Sequence, residues 1–204
     1  MKRLIALVLC LVLALSLAAC GKKEDSSSGT NGQTATVQRE NGKVIFTMSK
    51  NMLEIIGVSA DDIVASTQNS GQVIKNDDGS VTYKMSEEEY DQLLSSLKKT
   101  MDESIESFKT DETLTCIKDI TYNDDLSEII ISAEKESFEN NISAALIPAA
   151  LGISGMFYQM YTGVPDNEIK CSVVVKDSST GEEFQSVTYP DAIEEAASGA
   201  TVSQ

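Results

Sequence analysis

The residues that could carry chemistry in this chain are its cysteines and carboxylates, because it contains no histidine. Ser-His-Asp catalysis, Cys-His catalysis and zinc sites built on histidine are thereby excluded. Aspartate and glutamate together number 32, so a hydrolase that uses two carboxylates stays open as an alternative. The acidic pairs at 61–62, 77–78 and 124–125 fall at predicted turns or helix starts, where acids stabilise structure. We therefore predict no catalytic residue, no metal site and no cofactor.

Two of the four cysteines, Cys116 and Cys171, occur in strand-like segments with apolar neighbours. Outside the cell these two residues could form a disulfide, which requires Cα atoms within about 7 Å of each other. Two separately buried thiols are the alternative. The sequence does not support a redox site, because it has no Cys-x-x-Cys pair.

The N-terminus has the layout of a signal peptide. Lys2 and Arg3 precede an uncharged apolar run that ends at Cys20, after which the chain becomes polar. Residues 17–20, Leu-Ala-Ala-Cys, are followed by Gly21 and resemble the bacterial lipobox. That resemblance implies that a diacylglycerol is joined to the Cys20 sulfur, that residues 1–19 are removed, and that the protein is held at the extracytoplasmic face of the cell membrane. An uncleaved transmembrane helix is the alternative, since the run is long enough to span a bilayer.

Processing at Cys20 would leave a strongly acidic protein. The full chain carries 16 basic and 32 acidic residues, and removal of Lys2 and Arg3 changes the formal net charge from −16 to −18. Such a charge argues against nucleic acid as a partner, because lysine and arginine supply most of the affinity for phosphates. The predicted partners are the membrane, through the lipid anchor at Cys20, and a protein or small-molecule ligand that the sequence does not identify.

Composition divides the rest of the chain into a tether, one domain and a tail. Residues 20–40 are rich in serine, glycine and threonine, which predicts a flexible tether. Residues 41–190 are long enough for a single domain with its own core. Residues 191–204 predict a short helical start followed by a disordered tail.

We predict an α+β fold, in which an antiparallel sheet of hairpins packs against two main helices at about 86–108 and 140–162. Ser86 and Glu89 have the capping-box spacing at the start of the first helix, and apolar residues follow at helical spacing. Asp-Asp-Gly at 77–79 predicts a hairpin turn rather than a calcium loop, because the following residues do not supply the oxygen ligands. Three isoleucines at 129–131 predict a central strand covered on both faces. The predicted order of elements is β-α-ββ-α-ββ-α-ββ.

The second main helix comes from a segment with no charged residue between Glu139 and Asp166. We predict a buried helix with a break near Pro148. A second membrane span is the alternative, which the proline, the glycines and the acidic flanks oppose. A further alternative is an apolar groove for a lipid or a hydrophobic peptide. The residues that would line this groove are Ala145, Ala149, Gly152, Met156 and Met160.

Three stretches, "DDGSVTYKMS", "ITYNDDLSEIIIS" and "GISGMFYQMYTGVPDNEIKCSVVV", resemble a family of secreted or lipid-anchored proteins of Gram-positive bacteria. The resemblance covers residues 43–190. It carries no assigned activity, so it implies a single shared domain and transfers no catalytic residue. Together with the anchor, it leads us to expect a cell-surface domain of the binding type that does not catalyse a reaction.

Overall fold

Two four-stranded β-sheets and the helices packed against them make up the described part of the chain, which confirms the predicted α+β class. The structure is a computed structural model that describes residues 36–66 and 72–199, without the side chains of 197 and 198. The predicted signal peptide and Cys20 lie outside the described residues.

The first sheet is antiparallel throughout. Its strands are β1 (Thr36–Glu40), β2 (Lys43–Met48), β3 (Val73–Lys75) and β4 (Val81–Ser86), in the spatial order β1-β2-β4-β3. Val44, Phe46 and Met48 are all buried, because alternate side chains of β2 point to the same face of the sheet. One face of this sheet therefore covers the core.

Strand β1 corrects the predicted boundary between tether and domain. Residues 36–40 were expected in the tether, whereas the structure pairs all five of them with β2. Asn41 and Gly42 form the turn, with φ angles of 52° and 73°. Both central residues of a type I′ hairpin turn need positive φ, and Asn-Gly is the dipeptide that adopts it most readily. The folded region therefore begins by Thr36, and the rest of the predicted tether lies outside the described residues.

Among the described residues before β5 there are three helices: α1 (Lys50–Ile55), α2 (Ala60–Ser66) and α3 (Glu87–Thr110). The predicted capping box is confirmed, since Ser86 Oγ accepts from the Glu89 amide at 3.2 Å and Glu89 Oε2 accepts from the Ser86 amide at 2.8 Å. Tyr90, Met101 and Ile105 are buried along α3. This helix contacts both sheets, so the two sheets share one core.

The second sheet is mixed, which differs from the predicted antiparallel hairpins. Its strands, in chain order and in spatial order, are β5 (Ile117–Tyr122), β6 (Glu128–Ala133), β7 (Cys171–Asp177) and β8 (Glu183–Tyr189). β5–β6 and β7–β8 are hairpins, whereas β6 and β7 run parallel. A parallel pair needs a long crossover. The crossover consists of α4 (Lys135–Glu139), α5 (Ile142–Ala145) and α6 (Ile147–Thr162).

The three isoleucines of β6 lie on two unlike faces. Ile129 and Ile131 are fully buried against the core, as predicted. Ile130 points to the opposite face, beside Val174 of β7, and both of these side chains are only half-buried. β6 is a central strand, as predicted, but its second face is only partly covered.

The segment after α4 is helical with a break, as predicted. The break is at Leu146, and Pro148 lies in the first turn of α6, where its missing amide hydrogen costs no hydrogen bond. The short helical start predicted for residues 191–204 is helix α7 (Asp191–Ser198). Residues 200–204, which belong to the predicted disordered tail, lie outside the described part of the chain.

Candidate functional site

The clustered carboxylates at the hairpin turns stabilise the turns in which they lie. Asp78 Oδ1 accepts from the amide of Ser80 at 2.9 Å and from its hydroxyl at 2.6 Å. Asp125 Oδ1 does the same with Ser127, at 3.1 and 2.7 Å. These hydrogen bonds to the ionised form hold the pKa of Asp78 and Asp125 below its ordinary value. The predicted turn at 77–79 is confirmed.

These two turns share the pattern Asn-Asp-Asp-x-Ser, a repetition that was not recognised in the sequence. It occurs at 76–80 and at 123–127. In each turn the asparagine Nδ2 donates to the serine Oγ at 2.8 Å. The fourth residue has positive φ in both, 85° at Gly79 and 58° at Leu126. The shared side-chain hydrogen bonds indicate that the pattern specifies a turn geometry.

A pair of catalytic carboxyl groups requires one of them to have a raised pKa. The described carboxyl groups whose pKa departs clearly from its ordinary value are all shifted downward. These groups are Asp78, Glu89, Asp111, Asp125, Glu134 and Asp177. The lowest is Asp177, whose pKa is about 2 because Ser179 donates to it through both hydroxyl and amide. Within residues 36–66 and 72–199 there is also no group of three or more acids and cysteines placed to hold a metal ion.

Cys116 and Cys171 are separate buried thiols, which overturns the disulfide alternative. The carbonyl of Cys116 accepts from Glu134, just beyond the C-terminal end of β6. Cys171 precedes Ser172, which pairs with Glu128 at the other end of β6. At about 3.3 Å per residue, the length of this strand separates the two cysteines by far more than the roughly 7 Å that a disulfide spans. Burial raises the pKa of Cys116, and that of Cys171 to about 12.

We expect the two thiols to be unreactive in the folded protein. In a chain that carries Cys10→Ser and Cys20→Ser, Ellman's reagent should detect both thiols in urea and neither under native conditions, since reaction requires an accessible thiolate. The intact mass should be the same with and without reducing agent. A loss of two hydrogens in the non-reduced sample would contradict the placement of the two cysteines.

The five residues predicted to line an apolar groove do not form one. Gly152, Met156 and Met160 are buried in the core, Ala149 is half-buried and Ala145 is exposed. At Gly152 an added Cβ would lie 2.2 Å from the Tyr189 ring. These residues therefore divide between a tightly packed inner face and an outer face of α5 and α6.

That outer face carries the most exposed large apolar side chains in the described part of the chain. Ile142 is 84% exposed and Leu146 is 63% exposed. Ala150, Ile153 and Phe157 continue the same side of α6 and are half-buried, and Ile153 and Phe157 also pack in part against the core. We call these five residues the outer apolar face. By length and composition alone, the segment 142–162 is apolar enough to span a membrane. Less than half of its 18-residue apolar stretch is buried inside the domain.

Three carboxylates lie on the segments next to the exposed end of the outer apolar face. Glu136 and Glu139 lie on α4, which precedes Ile142 in the chain. Both of these glutamates and Ile142 are exposed. Asn141 Nδ2 donates to the carbonyl of Thr113 at 2.8 Å, which places the loop that carries Glu112 against the start of α5. Glu112, Glu136 and Glu139 take part in none of the salt bridges of the described residues. We call them the acidic rim.

Two depressions on the described surface lie elsewhere. One, of about 370 Å³, lies between α3 and β5 and includes Asp102 and Tyr122. The Tyr122 hydroxyl donates to Asp102 at 2.6 Å, which raises the pKa of Tyr122 to about 12. The other, of about 790 Å³, is open and surrounds the β1–β2 turn at Asn41 and Gly42. Neither depression includes a residue of the outer apolar face.

Sequence reasoning placed the apolar segment inside the domain and missed its outer face. Ile142, Leu146, Ala150, Ile153 and Phe157 are spaced four, four, three and four residues apart, which is the spacing of one helix face. This signal was present, but the inner face has the same apolar character. The site that the geometry favours is therefore the outer apolar face with its acidic rim. Comparison of the chain with protein-family models, with curated proteins and with solved structures finds no match.

Proposed function

We propose that this protein is a lipid-anchored, extracytoplasmic binding domain that catalyses no reaction. The lipobox at 17–20 supports the anchor and the location. The exposure of Ile142 and Leu146 is the observation that carries the binding role. Large apolar side chains that line up on one exposed helix face are typical of interaction sites, whereas scattered ones are not informative.

The interior of the domain gives less support to the two alternatives. A carrier of lipids or hydrophobic peptides needs an empty apolar pocket, whereas α6 lies against β7 so closely that a Cβ at Gly155 would be 2.6 Å from Cys171 Sγ. A two-carboxylate hydrolase needs acids that converge, whereas Asp78, Asp125 and Asp177 each bind the turn in which they lie. Binding at the surface is the function that the described residues favour.

The anchor is tested by replacing Cys20 with alanine and expressing both proteins in the native host. We expect the wild-type chain to begin at residue 20, to carry the mass of a diacylglycerol and to partition with membranes. We expect Cys20→Ala to lose that mass and to leave the membrane fraction, because no other lipid attachment is predicted.

Cys10→Ala is the matched control, since Cys10 lies inside the predicted signal and should not affect lipidation. If the wild-type chain carries no diacylglycerol and Cys20→Ala stays in the membrane with residues 1–19 still attached, the N-terminal run is a transmembrane helix and the lipid-anchor proposal is wrong. If it stays there after cleavage, the 142–162 segment inserts and the proposed topology is wrong.

A further inference from the structure

The outer apolar face has the dimensions of a helix-binding surface. From Ile142 to Phe157 it follows one side of a nearly continuous helix of 21 residues, Ile142–Thr162. At about 1.5 Å per residue the face is about 22 Å long. Its large side chains, Ile142, Leu146, Ile153 and Phe157, are separated by the small residues Ala149 and Ala150. A second helix packs into such an arrangement of ridges and grooves.

The charges around this face favour a basic occupant. The acidic rim consists of Glu112, Glu136 and Glu139, all exposed, and the face itself bears no charge. The nearest lysine in sequence is Lys135, whose Nζ lies 5.7 Å from the centre of the Phe184 ring. The full chain has a net charge of −16. A partner with lysine or arginine beside its apolar residues would find complementary charges here.

The acidic rim argues against the membrane as the occupant, and the face also lies away from the end of the domain that leads to the proposed anchor. Gly163, at the C-terminal end of α6, lies against Val37 of β1, where a Cβ would be 2.9 Å from Val37 Cγ2. The chain that leads to the proposed anchor enters at β1. Leu146 lies just before the other end of α6, about 24 Å away along the 16-residue helix, and Ile142 lies one turn further on α5. Anionic lipids would also be repelled by the acidic rim.

We propose that the outer apolar face binds an amphipathic helix of a partner protein, with the helix's basic residues against the acidic rim. This inference deepens the proposed function and rests on it for the binding role, but it does not depend on the anchor. A second copy of this chain is a poorer occupant, because the two acidic rims would repel each other.

The test titrates the protein with a labelled peptide of leucine and lysine, about 15 residues long and patterned as an amphipathic helix. The protein is the full chain as its host processes it, held in phosphatidylcholine nanodiscs or free in buffer if it is released. We expect saturable binding that Ile142→Asp and Leu146→Asp each weaken by about tenfold or more, because an aspartate in the contact is desolvated without a partner. Ile74→Asp is the matched control, since Ile74 is 39% exposed on β3 of the other sheet.

The contribution of the rim is measured with a second pair of variants. Replacing the three rim glutamates by glutamine should weaken lysine-peptide binding and reduce its salt dependence. The same replacement at Glu168, Glu182 and Glu183, which are also exposed, should change neither. A peptide with glutamate in place of lysine should not bind. Empty nanodiscs give the background.

The other occupants are outcomes of the same experiment, and each overturns the proposal. If the wild-type protein binds phosphatidylglycerol vesicles and Leu146→Asp does not, the occupant is the membrane. If the wild-type protein is a dimer and Leu146→Asp dissociates it, the occupant is a second copy of the chain. If deletion of residues 21–35 makes peptide binding tighter, the occupant is the chain's own N-terminal segment. Peptide affinity that is equal in wild type and Leu146→Asp excludes the face, whatever Cys20→Ala shows about the anchor.

Discussion

Replacing Gly155 by alanine should destabilise the protein by about 2 kcal/mol. The added Cβ would lie 2.6 Å from Cys171 Sγ and 2.7 Å from the carbonyl oxygen of Leu126. This carbonyl belongs to the backbone of the turn before β6. It cannot move away from the added Cβ by rotation of a side chain. Alanine favours a helix over glycine by only about 1 kcal/mol, which is less than the cost of the overlap. Urea denaturation of both proteins measures the difference.

Ser154→Ala is the matched control for this change. Ser154 precedes Gly155 on α6, and its exposed hydroxyl donates to the Ala150 carbonyl at 2.8 Å. Its replacement should change the free energy of unfolding by less than about 0.5 kcal/mol. An unchanged urea midpoint for Gly155→Ala would show that α6 does not approach the second sheet as closely as described.

Replacing Gln159 by leucine should cost more, about 3 kcal/mol or above. The Gln159 side chain is 3% exposed, and its Nε2 donates to the carbonyls of Leu126 at 3.1 Å and Lys170 at 3.0 Å. Its Oε1 accepts from the Lys170 amide at 3.0 Å. Leucine fills a similar volume but leaves three backbone groups without these partners. Each such group costs about 1–3 kcal/mol when it stays buried.

The control for Gln159→Leu is Gln92→Leu on the exposed side of α3, where the side chain makes one long contact of 3.4 Å with Glu88. We expect that variant to unfold at nearly the wild-type urea concentration. If Gln159→Leu were also close to wild type, water would have to reach the Lys170 and Leu126 backbone groups. The packing of α6 against the N-terminal ends of β6 and β7 would then be looser than described.

Local signals in the sequence were sufficient to predict α3 and the class of the fold. Ser86 and Glu89 give the start of α3 because capping depends only on residues three apart. Strand β1 was missed because Thr36–Glu40 lacks the apolar alternation of a strand that faces a core, although Asn41-Gly42 signals a hairpin. The turn residues were the better guide there.

The arrangement of elements far apart in the chain could not be predicted in the same way. Helix α6 is apolar on all sides, so its periodicity does not show which face packs inward and which is left exposed. The continuous apolar runs 129–131 and 173–175 are typical of parallel strands, but they do not show that β6 and β7 pair with each other. The separation of Cys116 from Cys171 follows from this pairing, which is why the sequence left the disulfide open.

The parallel pairing of β6 with β7 also constrains the order in which the second sheet assembles. β5–β6 and β7–β8 are hairpins with short turns, and closing such short loops costs little chain entropy. β6 and β7 can meet only once the connection through α4, α5 and α6 is in place, and non-local pairings of this kind slow folding. Until then, the uncharged α6 segment and two strand edges are open to other chains. The net charge of −16 keeps identical chains apart during that interval.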